Sequence, residues 1–346
     1  MLDKRESAII DFVKNNSGCS SKDIHEGILL PVSYATVKRI LSRLTAENLI
    51  ITTGKGKGTR YKVSSLFDLL QPIDIEQYYE KEVDERTIKD NFNFDLIGEV
   101  LLRHNIFTDS ELLKLNALQK TYSNNISQLT VIEYHKELER LAIDLSWKSS
   151  QIEGNTYSLL ETERLLKEKE TASGKTKEEA IMLLNHKDAI DFIIANPGYL
   201  FPLSISKIED IHSILVKELG VESNLRKRRV GISGTNYRPP DNEFQIVDAL
   251  KAVCDLINKK NEVFEKALLV MLLISYIQPF MDGNKRTARI VSNAVLIDHQ
   301  YCPISFRTVD SINYKKALLL FYEQNNLSAF KQIFINQFEF AVNTYF

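Results

Sequence analysis

Gln278-Pro279-Phe280-Met281-Asp282-Gly283-Asn284-Lys285-Arg286-Thr287-Ala288-Arg289 closes an apolar stretch that begins at Val263. Behind it, Ile290, Val291 and Val295 continue an apolar helical face. Pro279 and Gly283 therefore bracket a loop between two helices, the second starting near Gly283 or Asn284. A helix start offers free backbone N–H groups and the positive end of its dipole to an anion. Lys285, Arg286 and Arg289 add cations, and a guanidinium matches phosphate geometrically. Asp282 stands where a carboxylate would hold a divalent cation bridging phosphates. Two readings stay open on these residues alone: a pocket for a nucleotide with Mg2+, and a plain helix start with a solvated basic face.

Outward from this segment the chain is helical in pattern from about residue 94 to 346. The clearest helices are predicted over 138–152, 158–169, 177–195, 206–219, 247–258, 263–277, 283–298 and 311–324. One exception, Val230 to Thr235, reads as a β-hairpin or flap. Residues 66–95 read as a linker with one or two short helices. Its Tyr78 and Tyr79, and Trp147 further on, are read as packing residues.

The first 65 residues follow a different order. Three amphipathic helices are predicted, over 4–15, from Ser20 or Ser21 to Glu26, and from Ser33 onward. Two β-rich pieces follow around Gly54-Lys55-Gly56-Lys57-Gly58. Three helices and a hairpin make a winged helix-turn-helix. The outer face of its third helix carries Ala35, Lys38, Arg39 and Ser42, flanked by Thr36 and Arg43. Small and basic residues there suit a DNA major groove. Lys55, Lys57 and Arg60 of the wing suit phosphates. Winged helices also serve as protein-contact modules, so both uses stay open.

Composition bounds the classes. The chain has 346 residues, 44% hydrophobic and 26% charged, which excludes global disorder and collagen-like or coiled-coil chains. At about 100–200 residues per domain, two or three domains are expected. The division predicted is 1–65, a linker over 66–95, and a helical domain over 96–346. No apolar run reaches the roughly 18 residues of a membrane span. The first residues predict no secretory leader, and Cys19, Cys254 and Cys302 have neither disulfide nor metal spacing. A cytoplasmic location is the expectation. The net charge of −2 hides an asymmetry: residues 1–65 hold eleven Lys/Arg against six Asp/Glu, and the remainder 33 against 40. A basic head on an acidic body suggests that the head meets polyanions.

Residues 278–289 resemble the signature of Fic-domain proteins, His-x-Phe-x-(Asp/Glu)-Gly-Asn-(Gly/Lys)-Arg-x-x-Arg. Eleven of the twelve positions are compatible, the free ones included. Asn185-His186-Lys187-Asp188-Ala189, Ile211-His212 to Leu219, Gly234-Thr235-Asn236-Tyr237 with Pro239-Pro240, and Tyr314 to Tyr322 resemble other parts of the same family. The resemblance implies a mainly α Fic fold with a small β-hairpin flap, behind the winged helix. It implies a protein that binds ATP and Mg2+ and transfers AMP to a protein hydroxyl. Asp282 would ligand Mg2+. Gly283, Asn284 and Lys285 would form the phosphate loop, with Gly234 also at the nucleotide. Arg286 and Arg289 would hold the β- and γ-phosphates, and Phe280 would anchor the loop. The flap, around Gly231 to Asn236, would align a target strand.

The first signature position departs from the pattern. Relatives carry a histidine there as general base, and this chain has Gln278. None of His25, His104, His135, His186, His212 and His299 lies in the signature, and His186 and His212 are read as packed helix residues. A glutamine amide takes no proton near neutral pH, so transfer is expected to be weak or lost. Lys285 is the residue that the Doc toxin branch carries, where phosphate is transferred instead. Ser149-Ser150-Gln151-Ile152-Glu153-Gly154 resembles the family's inhibitory helix, in which Glu153 would compete with the γ-phosphate for Arg289, with Ser149 and Gly154 completing the motif. In some relatives the same glutamate supports AMP removal. The leading expectation is an autoinhibited adenylyltransferase with impaired catalysis. Its rivals are a catalytically dead, ATP-sensing transcriptional regulator and an AMP-removing enzyme that uses Glu153. The expected partners are ATP, a protein target with the chain itself among the candidates, and DNA at residues 1–65. A homodimer is among the expected assemblies, and no membrane partner is expected.

Overall fold

The structure, a computed structural model, describes residues 2–346, without the Lys57 side chain. The N-terminal part forms α1 (Lys4–Asn15), α2 (Ser21–Gly27), α3 (Tyr34–Ala46), β1 (Ile50–Thr53) and β2 (Arg60–Val63). Each helix starts on a polar cap: Asp3, Ser20 and Ser33 accept from backbone N–H groups of the first turn. Ile9, Val13, Ile24, Val37, Leu41 and Leu44 close one apolar core between the helices. The strands pair antiparallel with Ile50 opposite Val63 and Thr53 opposite Arg60. Tyr61 also exchanges two backbone bonds with Gly18 and Cys19, which ties the wing to the α1–α2 turn.

The connecting segment carries α4 (Phe67–Leu70) and α5 (Ile75–Tyr78). It does not hang free. Leu66, Leu69 and Leu70 are buried. The Leu69 carbonyl accepts from Leu327 N–H, and Asn326 Nδ2 donates to the carbonyls of Asp68 and Gln71.

The body is helical. After a π-helical turn, Leu96–Leu101, come α6 (Asp109–Ile126), α7 (Val131–Ile152), α8 (Leu159–Glu168) and α9 (Lys177–Ala195). Then follow α10 (Ile205–Val216), α11 (Glu243–Lys259), α12 (Val263–Ile277), α13 (Asn284–Asp298), α14 (Ser311–Gln324) and α15 (Ser328–Tyr345). The centre is α12, apolar on all sides and buried from Ala267 to Ile277. A single truncation there, Leu272→Ala, leaves a cavity worth about 2–5 kcal/mol. α13 lies beside α12, and Ser292 Oγ donates to the Ala267 carbonyl across the pair. α7, α9, α10 and α14 pack around them. Among the described residues no helix is long and apolar enough to cross a membrane.

One expectation is corrected. Residues 230–235 turn at Ser233–Gly234 but form no strand pair, and the single sheet among the described residues is β1–β2. Side chains account for it. Flap carbonyls that a strand partner would use go instead to Arg226 and Arg86, and Pro239 and Pro240 supply no N–H.

Candidate functional site

α12 stops at Gln278, whose backbone is left-handed at φ +49, and Pro279 follows. Phe280 then turns inward, fully buried, and its ring stacks on His212 of α10 at 3.6 Å between centroids. Asn284 holds the turn from the other side. Its Oδ1 accepts from Phe280 N–H at 2.8 Å, and its Nδ2 donates to the Phe280 carbonyl at 2.8 Å and to Gln278 Oε1 at 3.1 Å. Gly283, at φ +78, is the N-cap of α13 and has no side chain to cap it. A Cβ there would meet Val216 at 3.3 Å and His212 at 3.4 Å, in a backbone region that costs side chains extra. The first turn of α13 is therefore left open to an anion.

Two arginines one turn apart on α13 stand below this opening. Arg286 is buried and donates through Nη2 to Asp282 Oδ2 at 3.1 Å, while its Nε and Nη1 have no partner among the described residues. Arg289 is 0% exposed. Its Nε donates to Ser149 Oγ at 2.8 Å, and its Nη2 to the Ser149 carbonyl at 3.0 Å and Glu153 Oε1 at 2.8 Å. The second Glu153 oxygen lies 3.3 Å from Lys285 Nζ. Burial raises the Glu153 pKa, but Arg289 and Lys285 outweigh it, and the carboxyl ends below its ordinary range. Glu153 is thus a carboxylate that occupies two cations. It sits at the end of α7, before Gly154 at φ +105.

The opening leads into a cavity of about 360 Å3, of the size that small-molecule sites take. Gln278, Asp282, Gly283, Asn284, Lys285 and Arg286 line it, with Glu153 at one wall. Arg289 lies behind Glu153, and Gly234 lies beside the flap residues Gly231 to Ser233 that form the rim; neither lines the cavity. The sequence reading missed the opposite wall, Lys315, Leu318, Leu319 and Tyr322 of α14. Their i, i+3, i+4, i+7 spacing is that of any packed helix face. It also missed Arg226. This buried guanidinium donates to the carbonyls of Gln278 (2.6 Å), Arg228 (2.7 Å) and Pro240 (2.7 Å), with Ile277 at 3.4 Å. It joins the flap base to the end of α12.

Asp282 is 65% exposed at the side chain. Among the described residues no cluster of three or more His, Cys, Asp or Glu side chains makes a ready metal cage. A lone carboxylate beside an anion site still fits Mg2+, which takes one or two carboxylates plus substrate phosphates. His212 bridges the Ser223 and Asp282 carbonyls. His186 is fully buried, with no hydrogen-bond partner among the described residues. Neither histidine lines the cavity. Trp147 is half-buried and donates to the Tyr157 carbonyl, which ties α7 to the loop after Gly154.

On the N-terminal module Ala35, Lys38, Arg39 and Ser42 form an exposed face of α3. Lys38 also lies 5.6 Å over the Tyr34 ring. Thr36 is spent on its own helix start, sharing a 2.9 Å bond with Ser33 Oγ. Arg43 is turned back to Glu6 and Glu47. Lys55 is exposed on the wing, and the Lys57 side chain lies outside the described residues.

The Fic/DOC family model matches residues 202–296, and the penicillinase repressor model matches residues 2–83. A protein adenylyltransferase Fic of Nematostella vectensis is 30% identical over 179 residues, 50% of this chain and 41% of that one. A probable protein adenylyltransferase of Aquifex aeolicus is 30% identical over 99 residues, 28% and 31% of the two chains. The chain spans less than half the length of these curated relatives. Among solved structures, Fic-1 of Caenorhabditis elegans superposes with a TM-score of 0.59 at 18% identity, over 68% of this chain and 71% of that one. A Fic domain containing signaling protein from Bacteroides thetaiotaomicron gives 0.58 at 19%, over 66% and 94%. These likenesses agree with the helical body and with the signature at the end of α12. The chain is a Fic-domain protein with a winged helix-turn-helix module at its N-terminus.

Proposed function

We propose that the chain binds Mg-ATP at the start of α13 and is an autoinhibited adenylyltransferase whose transfer step is slow. The observation that carries this is the Glu153 carboxylate seated between Arg289 and Lys285. Two cations beside an open helix N-terminus form an anion site, and Glu153 fills the place of a phosphate. The free Nε and Nη1 of Arg286 are donors of the kind that phosphate oxygens satisfy. Asp282 would hold Mg2+, which when bound supplies charge neutralisation at the phosphates.

In the reaction, a target hydroxyl oxygen bonds to the α-phosphorus, the bond to pyrophosphate breaks, and the hydroxyl proton must leave. Gln278 lines the cavity at the position of the base. Its Nε2 donates to the Ser275 carbonyl at 2.6 Å and its Oε1 accepts from Asn284. It orients, but it takes no proton. A missing general base costs about 10²–10⁴-fold, while positioning and charge stabilisation stay with the chain's other residues. The test is the intact mass of the Glu153→Gly protein after incubation with Mg-ATP. An AMP adduct supports transfer, and a phosphate adduct moves the assignment to the chemistry suggested by Lys285. No adduct, and none after Gln278→His, refutes the enzyme reading.

A second reading is favoured by the exposed Lys38 and Arg39 on α3 and by the repressor-type match over residues 2–83. In it, residues 1–65 bind DNA and the Fic body reports ATP. A duplex that fails to bind at low salt refutes it.

A further inference from the structure

Two arginines hold the flap at the rim of the cavity, and only Arg226 belongs to it. The other comes from the connecting segment. Arg86 is 4% exposed at the side chain and Glu323 of α14 1%. Arg86 Nη1 donates to both Glu323 oxygens, at 3.0 and 3.2 Å, and Nη2 donates to the Gly234 carbonyl at 2.9 Å. Residues on either side of Arg86 reach the flap too. Asp84 Oδ1 accepts from Asn236 Nδ2 at 2.8 Å, and the Asp90 carbonyl accepts from Arg238 N–H at 2.8 Å. Lys89 N–H donates to the Glu323 carbonyl at 2.7 Å. The Tyr78 hydroxyl donates to Glu323 Oε2 at 2.7 Å.

A buried ion pair adds little net stability over an apolar pair of the same volume. What it supplies here is direction. A guanidinium is a planar fork with fixed donors; one arm takes Glu323, next to the cavity-lining Tyr322, and the other takes the flap turn. Among the described residues, 230–235 pair with no strand and only Arg238 makes a single bridge, to Asn91, so these contacts stand where ladder bonds would be.

We infer that Arg86 is a positioning residue for the flap: the rim of the cavity at Gly231 to Ser233 is set from the connecting segment, outside the residues 202–296 that the Fic/DOC model matches. The inference rests on the nucleotide reading only for its ligand-binding arm.

The experiment uses the full chain with Arg86→Ala and Arg86→Lys. Hydrogen exchange is read on peptides covering 228–238, with trypsin cleavage at the exposed Lys227 and Arg229. Arg86→Ala is expected to raise flap exchange roughly tenfold with α12 and α13 unchanged, as a local opening does. Arg86→Lys keeps the pair with Glu323 but has no second planar arm. It is expected to restore the melting temperature and leave the flap loose, a split that a merely stabilising ion pair does not give. A lysine variant that protects the flap as well as arginine overturns the inference. So does exchange that rises equally everywhere.

In the Glu153→Gly background, Arg86→Lys is expected to weaken Mg-ATP binding by roughly two- to thirtyfold. An unchanged affinity with a loosened flap overturns the positioning role at the cavity. If Glu153→Gly alone binds no ATP, the nucleotide reading fails, and the exchange comparison still decides what Arg86 does.

Discussion

Replacing Glu153 with glycine should make the protein less stable when empty and more responsive to nucleotide. The carboxylate lies 2.8 Å from Arg289 and 3.3 Å from Lys285, and its side chain is 19% exposed. Breaking a buried pair costs about 3–5 kcal/mol. Arg289 keeps both Ser149 contacts, so the low end, about 3 kcal/mol, applies. At about 2 °C per kcal/mol for a body of this size, the melting temperature should fall by about 6 °C. Mg-ATP at a hundred times its dissociation constant returns about 2.7 kcal/mol, or about 5 °C. In the unaltered protein the nucleotide must first displace Glu153, so its shift should be a small fraction of that. The assay is thermal unfolding of both proteins with and without Mg-ATP. Equal shifts would refute the idea that Glu153 occupies the phosphate site, and no shift in either would refute the nucleotide site. Acid provides a control. Burial raises the Glu153 pKa, the two cations more than reverse it, and the folded value lies below the ordinary 4.5. The stability advantage over Glu153→Gly is therefore complete above about pH 4.5 and lost as pH falls through the folded value.

Gln278→His, added to Glu153→Gly, should raise the rate of AMP adduct formation by about 10²–10⁴-fold, read by mass against time. Arg226→Ala strips donors from the Gln278, Arg228 and Pro240 carbonyls. It should cost at least about 3 kcal/mol in urea unfolding, with little recovery by Arg226→Lys, which has no fork. Lys38→Ala and Arg39→Ala should each lower the salt slope of DNA binding by about 0.9, measured by anisotropy. Arg43→Ala should not, because Arg43 is held by Glu6 and Glu47. Glu179 accepts from the Thr156 hydroxyl, the Thr176 N–H and further donors, which lower its pKa from 4.5 to about 2. Its contribution is full above about pH 4.5 and lost toward pH 2, so Glu179→Gln should flatten that part of an acid unfolding curve.

The sequence carried the helices that periodicity and caps define. The helices over 177–195, 263–277 and 311–324 begin and end where the pattern put them. Others started earlier than expected: α7 begins at Val131 because Thr130 and Glu133 form a capping box on a face that stays exposed. The loop at 278–283 and the open start of α13 were legible because each sits in a short local pattern, whereas the pair of Glu153 with Arg289, 136 residues apart, was legible only through the family resemblance. The flap was misread as a hairpin because Val230, Ile232 and two glycines look like strand and turn, while the residues that replace its ladder, Arg86 and Arg226, are distant or featureless in sequence. Nothing in the spacing of Lys315 to Tyr322 distinguished a cavity wall from core.

The path of the connecting segment has a consequence of its own. Residues 84–90 bond the flap and α14, and residues 66–71 bond the α14–α15 turn, within one continuous stretch that begins at the end of β2. Any ligand of the winged helix that shifts this stretch does work on the rim of the cavity, and thermodynamic linkage makes that work symmetric. The factor by which such a ligand changes the affinity of the cavity for its own ligand is then the factor by which the cavity's ligand changes the affinity of the winged helix.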